Sequence, residues 1–371
     1  MKVLALVTEA FGGKGGIARY NCDFLTALSA YPPVTEIDVL PRLATPTEPL
    51  PARIKQTKPV FGRMAYTALA TTHAIRKQPD LVFNGHLYHS ALARIAARVS
   101  GAKLLSQLHG TEVWKAVDGR HLNPMQRSDM VLCVSHHTRE KFHELLNADE
   151  TVPDTQILAN TVRPDFKPAR REPVREKYGL GDAYAILTVG RLDARKGFDG
   201  RPGYKGHDRI ISTLPDLLKI NPNTVYMIAG DGDDRERLEA LSKQLNVSDK
   251  VRFLGQVDEP TLADLYQACD LFAMPSAGEG FGIVYLEAMA SGLPAIGVQL
   301  GGAPDALRHG ELGTCVPDSE FEAALVAEIQ KPRQDREQLS ELVHQQFGFD
   351  RFQANIHECL DELMEVRQKA A

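Results

Sequence analysis

The chain has 371 residues, too many for one ordinary core and suited to two domains of under about 200 residues each. It is 43% hydrophobic and 25% charged with no low-complexity tract, a globular composition that excludes fibrous and disordered classes. The net charge of −5 divides unevenly: residues 1–170 hold 21 Lys+Arg against 15 Asp+Glu, or +6, and the remainder holds 22 against 33, or −11.

A basic first half suits an anionic partner, such as a phospholipid surface or a phosphate-bearing acceptor, although ordinary fluctuation of surface charge gives the same count. No apolar run approaches the roughly 20 residues of a spanning helix. The opening MKVLALVTEAFGG carries a lysine and a short apolar run, but Glu9 ends it and no A-x-A site follows, so it reads as a first strand and not a signal peptide. Cys22, Cys133, Cys269, Cys315 and Cys359 are odd in number and scattered, without a C-x-x-C pair. That pattern argues against a disulfide framework or zinc site and for a reducing cytoplasm.

Short apolar runs alternate with amphipathic stretches, the signature of parallel sheets with crossover helices. In the first half the strand candidates are KVLALVT, EIDVL, DLVFNG, KLLSQLH, MVLCVS and TQILAN, with helices over Ile17–Ala30, Arg63–Lys77, Ser90–Val99 and His137–Leu146. Pro41–Pro59, with five prolines, reads as an irregular loop. A stretch around TVRPDFKPARREPVREKYGLGDA, rich in proline and charge, reads as the break between domains. The second half offers strands AILTVG, TVYMIAG, VRFLGQV, LFAMPS, PAIGV and GTCVP, and helices near His207–Lys219, Asp234–Leu245, Pro260–Ala268 and Gly282–Ser291. The expected division is residues 1–165, a linker over 166–182, residues 183–348, and a last amphipathic stretch, 349–371, packing back across both domains. Two doubly wound, Rossmann-like α/β domains result, with ligands expected where the carboxyl ends of their strands face a cleft.

Several strand ends carry candidate chemistry. The first strand runs into TEAFGGKGGIARY, where Gly15 and Gly16 allow backbone N–H groups to approach a phosphate; the spacing fits neither a dinucleotide fingerprint nor a P-loop, and a tight structural turn reads equally well. Arg191 ends the strand AILTVG, and Lys196 and Lys205 follow in the turn-rich RKGFDGRPGYKG. An arginine and a lysine converging on one spot neutralise a leaving diphosphate without metal. Asp231 and Asp233 form a D-x-D pattern, but between strand and helix Asp233 or Asp234 reads better as an N-cap than as a metal ligand. His109 ends KLLSQLH and His86 lies in FNGHLYH; either imidazole is a candidate for touching sugar or acceptor, and an isolated strand-end histidine is more often structural.

The segment SAGEGFGIVYLEAMASG is the most informative. With Gly282 opening a helix, Ile283, Leu286, Glu287 and Ala290 share one face. A carboxylate on so apolar a helix is costly unless paired or hydrogen-bonded, and vicinal sugar hydroxyls supply two donors. The helix N-terminus offers N–H groups and the positive end of its dipole to a phosphate, and Glu279 stands just before the turn. The bland alternative is a surface helix whose glutamate faces water.

With these pieces assembled, the chain resembles the retaining glycosyltransferases of family 4, of GT-B fold. The resemblance rests on the E-x7-E element, Glu279 to Glu287 in EGFGIVYLEAMASGLPAI, then on VGRL…YKGHDRII, IAGDG and VRFLG, and more loosely on GGIARY, LHG and ILANTVRPDFKP. It implies that Glu287 binds the donor ribose, that Glu279 with the N–H groups of Phe281 and Gly282 holds the transferred sugar, with Gly280 also at the donor, and that Arg191 and Lys205 stabilise the leaving diphosphate. His109 would lie beside the sugar, and Gly15 and Gly16 near phosphate and acceptor. The longer spacer KGFDGRPGY departs from the family pattern and creates two Lys-Gly pairs; Lys205 matches better, with Lys196 as the alternate.

The expectation is therefore a cytoplasmic hexosyltransferase, peripheral to the inner face of a membrane. It would use no metal and no cofactor beyond its nucleoside diphosphate sugar, with GDP-mannose leading and UDP-hexoses beside it. Its acceptor would be a sugar or lipid-linked sugar in polysaccharide, lipopolysaccharide or glycolipid assembly, with no nucleic acid partner. The rivals are an epimerase or hydrolase of the same fold, which should show further catalytic acids in the cleft, and a two-lobed sugar-binding protein, which should carry an export signal.

Overall fold

The computed structural model describes residues 1–46, 49–115, 117–146, 152–194, 203–332 and 334–370. It divides into two compact units, Met1–Thr161 with Phe349–Ala371, and Val162–Gly348. Each is built on a wholly parallel sheet.

The first unit runs β1 (Lys2–Val7), α1 (Gly16–Ala30), β2 (Glu36–Pro41), β3 (Ile54–Gln56), α2 (Arg63–Lys77), β4 (Leu81–Asn84), α3 (Ser90–Ser100), β5 (Lys103–Leu108), α4 (Gly119–Gln126), β6 (Met130–Cys133), α5 (His136–Glu144) and β7 (Asp154–Ile157). The sheet order is β3-β2-β1-β4-β5-β6-β7, with Leu4 opposite Asp38 on one side and Val82 on the other. Val3 to Val7 are all buried, as expected of a strand covered by helices on both faces. Leu4, Leu6, Val82 and Leu104 pack against Tyr66, Ala70 and Ala74 of α2 and Ala93 and Ala97 of α3.

The second unit runs α6 (Glu172–Lys177), β8 (Tyr184–Val189), α7 (His207–Ile220), β9 (Thr224–Ala229), α8 (Arg235–Gln244), β10 (Val251–Gly255), α9 (Glu259–Ala268), β11 (Leu271–Met274), α10 (Ile283–Ala290), β12 (Ala295–Val298), α11 (Ala303–Ala306), β13 (Thr314–Val316), α12 (Phe321–Glu328) and α13 (Arg336–Phe347). Its order is β10-β9-β8-β11-β12-β13, with Ile186 opposite both Tyr226 and Leu271. In both sheets the strand order reverses direction once, at β1/β4 and at β8/β11. Such a switch point leaves an open crevice beyond the strands' carboxyl ends.

Helix α14 (Phe349–Ala370) joins the first unit. Phe352 sets its ring edge against Tyr20 at 5.9 Å, and a ring nitrogen of His357 lies 3.2 Å from the Ala27 carbonyl of α1. Three segments differ from the sequence expectation. The proline-rich Pro41–Pro59 contains β3, which is too short to show a period and buries only Ile54. The supposed linker carries α6, and α4 forms around Pro124. The proposed N-cap Asp234 stands at the N-cap of α8, but its carboxylate pairs with Arg237 at 2.6 Å and caps nothing.

Helix α6 is held by a buried ion triad. Asp270, which begins the turn into β11, accepts from Arg171 at 2.7 Å, from Arg175 at 3.1 Å and from the Ala185 N–H at 2.9 Å. Burial opposes ionisation of Asp270, but that N–H and the two guanidiniums outweigh it and hold the carboxyl below its ordinary pKa. A depressed carboxyl pKa contributes stability above the unfolded value of about 3.9 and loses it as pH falls through the folded value. Asp270→Asn should therefore cost about 3 kcal/mol at neutral pH, because it strands two buried guanidiniums. Melting curves should show the variant's deficit shrinking as pH approaches 3, and an equal deficit at both pH values would exclude this source.

Candidate active site

The switch point of the second sheet gathers the basic and acidic candidates. Arg191 follows β8 and is exposed. Lys205 lies just before α7, and its methylenes pass close over Gly190, where a Cβ would already sit at 3.4 Å from them. Its Nζ lies 2.5 Å from Glu279 Oε1, with both side chains nearly covered. Burial alone would lower the Lys205 pKa, but the Glu279 carboxylate more than offsets it, so the pKa is raised and the lysine stays an ammonium. Lys196 lies outside the described residues.

Glu279 begins the turn that leads from β11 into α10. The Gly302 N–H donates to its carbonyl at 2.7 Å, and a Cβ on Gly302 would stand 2.1 Å from the Gly280 carbonyl oxygen. Only glycine permits that approach, so the Gly301-Gly302 step after β12 is a wall against which the 278–282 turn is moulded. Phe281 is buried with its ring against Phe347 at 6.0 Å. Gly282 occupies the N-cap at φ +99°, and no side chain caps the helix. A side chain there would be strained by its backbone and would collide with the Tyr285 ring.

Helix α10 is buried from Tyr285 to Ala290, so the surface-helix alternative for Glu287 is excluded. Glu287 is 4% exposed and accepts a hydrogen bond from Tyr266 Oη at 3.1 Å. The structure thus supplies a protein donor to the carboxylate for which sugar hydroxyls were expected. The D-x-D carboxylates are engaged locally: Asp231 accepts from the Gly232 N–H at 2.9 Å and Asp233 from the Ala194 N–H at 3.0 Å.

In the first unit, Gly15 and Gly16 open α1 and are exposed, with no atom within 4 Å of where a Gly15 Cβ would sit. His109 follows β5 and is fixed from three sides. Its backbone N–H donates to Glu112 Oε1 at 2.5 Å, its Nε2 lies 3.0 Å from the Gly85 carbonyl, and the Tyr20 ring meets it edge-on at 5.0 Å. Burial pushes its pKa down to about 4, against the pull of the Gly85 carbonyl. A carbonyl only accepts, so Nε2 carries the proton and Nδ1 keeps the lone pair. The His86 ring stacks 6.0 Å from His109, and its Nδ1 accepts from the Tyr88 N–H at 3.2 Å. Burial lowers its pKa as well, with the Glu112 charge opposing.

Sequence reasoning missed Glu112, Tyr266 and Gly301-Gly302. Two of these left signals: an acid three residues after a strand-end histidine, and paired glycines after a strand. Tyr266 left none, since its hydroxyl reaches Glu287 only through packing of α9 on α10.

The fold agrees with comparisons to known proteins. The model for glycosyl transferases group 1 matches residues 170–346, and the model for glycosyltransferase family 4 matches residues 14–157. The chain is 31% identical over 252 residues to the GDP-mannose-dependent alpha-(1-6)-phosphatidylinositol monomannoside mannosyltransferase of Mycolicibacterium smegmatis, covering 64% of this chain and 62% of that protein. It is 29% identical over 236 residues to the N-acetyl-alpha-D-glucosaminyl L-malate synthase of Bacillus anthracis, covering 61% and 58%. The match thus spans less than two thirds of these relatives' length. In structure it is similar to Anabaena HepE, crystallised with UDP and glucose, at a TM-score of 0.75 and 20% identity over 98% of this chain and 100% of that one. Two doubly wound units, each matched by its own model, place the chain in the family 4 glycosyltransferases of GT-B fold.

Proposed function

We propose that this protein transfers a hexose from a nucleoside diphosphate sugar to a hydroxyl acceptor with retention of configuration. The observation that carries the reading is the buried Lys205–Glu279 pair beside the uncapped N-terminus of α10, with Glu287 buried on the same helix. A diphosphate suits the helix N-terminus, Arg191 and Lys205. The ribose hydroxyls suit Glu287, and the transferred sugar suits Glu279 with the N–H groups of Gly280, Phe281 and Gly282. Similarity to a GDP-mannose-dependent enzyme favours GDP-mannose as donor, with UDP-hexoses the alternative.

In the reaction the bond from the sugar's anomeric carbon to the phosphate oxygen breaks, and its electron pair leaves with the diphosphate. The acceptor oxygen bonds that carbon on the same face and passes its proton to the departing phosphate. Lys205 leaves Glu279 for the diphosphate as the donor seats, and Glu279 turns to the sugar hydroxyls. In the first unit, the neutral imidazole of His109 suits a sugar, and the open backbone of Gly15-Gly16 suits a phosphate or acceptor. An acceptor that is a sugar or lipid-linked sugar fits polysaccharide, lipopolysaccharide or glycolipid assembly.

The test is nucleotide release from GDP-mannose and UDP-glucose with and without sugar acceptors. Release that needs acceptor supports transfer; equal release without acceptor identifies a hydrolase, and donor binding without turnover a sugar-binding protein.

Charge neutralisation by side chains makes metal dispensable, so EDTA should leave the rate unchanged. A rate lost in EDTA and restored by Mg²⁺ would revive Asp231 and Asp233 as ligands.

Glu287→Gln should weaken donor binding about tenfold to a hundredfold, since hydrogen bonds to a charged group are worth about 1.5–3 kcal/mol. Titration calorimetry with the nucleoside diphosphate reads this directly, and wild-type affinity in the folded variant would remove the assignment.

Lys205→Ala should slow transfer about a hundredfold, or about 2.7 kcal/mol. Lys196→Ala should cost under about tenfold. The reverse ranking, at unchanged melting temperature, would pass the role to Lys196.

A further inference from the structure

A buried hydrogen-bond chain with no role in the steps above ties the turn that carries Lys205 to the second sheet. His207 opens α7, and its Nδ1 lies 3.0 Å from Tyr226 Oη of β9. The Tyr226 hydroxyl donates to Thr188 Oγ1 of β8 at 2.8 Å, and Thr188 Oγ1 donates to the Ala273 carbonyl of β11 at 2.5 Å. All three side chains are buried. The chain crosses three neighbouring strands.

Its direction is set by its far end. A carbonyl only accepts, so Thr188 gives its proton to Ala273, Tyr226 gives its own to Thr188, and the Tyr226 oxygen is left to accept from His207. Nδ1 of His207 therefore carries the imidazole proton and Nε2 the lone pair. Burial first, and the Lys205 charge second, push the His207 pKa down to about 3, with the Arg191 backbone opposing. At neutral pH the ring is a dipole beside an ammonium and not a second cation. Nε2 is buried and finds no donor among the described residues. A bare buried acceptor costs stability, and three apolar side chains of the same shape would avoid that cost. Stability alone is thus a poor account of the chain, whereas directed bonds fix one geometry.

The geometry they fix is that of Lys205. The Ala277 N–H donates to the Tyr204 carbonyl at 2.8 Å, and Gly206, at φ +74°, sits where a Cβ would stand 2.6 Å from the Pro275 carbonyl oxygen. With His207 bound through to Ala273, both neighbours of Lys205 are fastened to residues 273–277, which lead into the turn bearing Glu279. The later turns of α7 meet the core through Ile210, Ile211, Leu214 and Leu217, whose apolar contacts are non-directional. Arg209 binds Glu322 of α12 at 2.7 Å, away from the sheet, and the Asp208–Arg237 pair at 3.3 Å is partly exposed. A lysine is a charge on a flexible four-carbon stem, so where its backbone is held decides what its ammonium can reach.

We propose that His207 is a positioning residue for the diphosphate site: through Tyr226 and Thr188 it sets the first turn of α7 on the sheet, and so the point from which Lys205 reaches a nucleoside diphosphate. The inference deepens the proposed transfer reaction and rests on its assignment of Lys205 to the diphosphate.

The test is titration calorimetry of the full chain with GMP and GDP, and with UMP and UDP, so that no transfer is needed. The quantity read is the factor by which the second phosphate tightens binding. Lys205→Ala should cut that factor about tenfold, the worth of a charge-assisted hydrogen bond. Tyr226→Phe removes one buried hydroxyl and keeps the ring; it should cut the factor about threefold to tenfold and leave monophosphate affinity unchanged. His207→Leu should do the same. His207→Asn, whose Nδ2 replaces Nδ1 as donor, should keep most of the wild-type factor. In a Lys205→Ala background, Tyr226→Phe should lower the factor no further. A wild-type factor in Tyr226→Phe would overturn the inference. So would an equal loss of mono- and diphosphate affinity, or a loss that persists in full without Lys205. A factor unmoved by Lys205→Ala itself would remove the phosphate role of Lys205, and this inference with it.

Discussion

The second unit is organised around one costly arrangement: an ammonium and a carboxylate, Lys205 and Glu279, nearly covered at the carboxyl end of a parallel sheet. Neither charge would be cheap to bury there alone, since an unpaired ion out of water is costly. Together they keep both charges, and the raised pKa of Lys205 expresses that. The pair fixes what the neighbouring backbone must do. Lys205 reaches the site from the start of α7 only by passing over Gly190, and Glu279 is presented by a turn that closes against Gly302. The site is thus a set of close backbone approaches made so that two side chains meet.

The first unit reaches a comparable result without an ion pair. His109, His86 and His89 are buried or nearly so, and all have pKa values pushed down by burial, His89 to about 3. At neutral pH they are dipoles, not charges. A neutral imidazole whose proton is fixed by the Gly85 carbonyl offers a lone pair at Nδ1 without repelling a cationic partner or drawing an anion to the wrong place. Glu112 sits beneath this cluster, its carboxyl pKa raised by burial although the His109 N–H and the neighbouring imidazole pull it back. The second unit thus holds a charged pair at its strand ends, and the first a cluster of neutral imidazoles.

Most of the fold was legible because parallel strands buried on both faces write themselves as apolar runs; β1 and β9 are continuous hydrophobic stretches. What was missed had no period to show. β3 is three residues long, and α4 carries a proline within it. The segment holding α6 looked like a linker because its arginines are charged, yet two of them are consumed by Asp270. In the second unit the places of Arg191 at a strand end, of Lys205 and Glu279 before helices and of Glu287 within a helix were legible, as was the strand-end place of His109 in the first unit. Tyr266 and Glu112 were not, because their roles are set by which helices and turns pack together. No spacing along the chain encodes that contact.

Two carboxylates of the second unit separate structural from functional burial. Asp270 is held by two guanidiniums and a backbone N–H, with its side chain 3% exposed. Those donors approach the roughly four acceptor sites a carboxylate offers, and any ligand would have to displace one. Glu279 lies at the opposite end of the same sheet and is buried almost as deeply, yet it takes one side-chain donor, from a lysine. An ammonium on a four-carbon stem is a point charge that can turn to another anion, whereas a guanidinium fork locks its partner in place. Acceptor capacity left over, held by a mobile partner and next to an uncapped helix, is what a site needs that must exchange a protein contact for a ligand. Satisfied capacity held by two arginines is what a fold needs to anchor a helix. Both carboxylates obey the same desolvation rule, and the number and stiffness of their donors separate one role from the other.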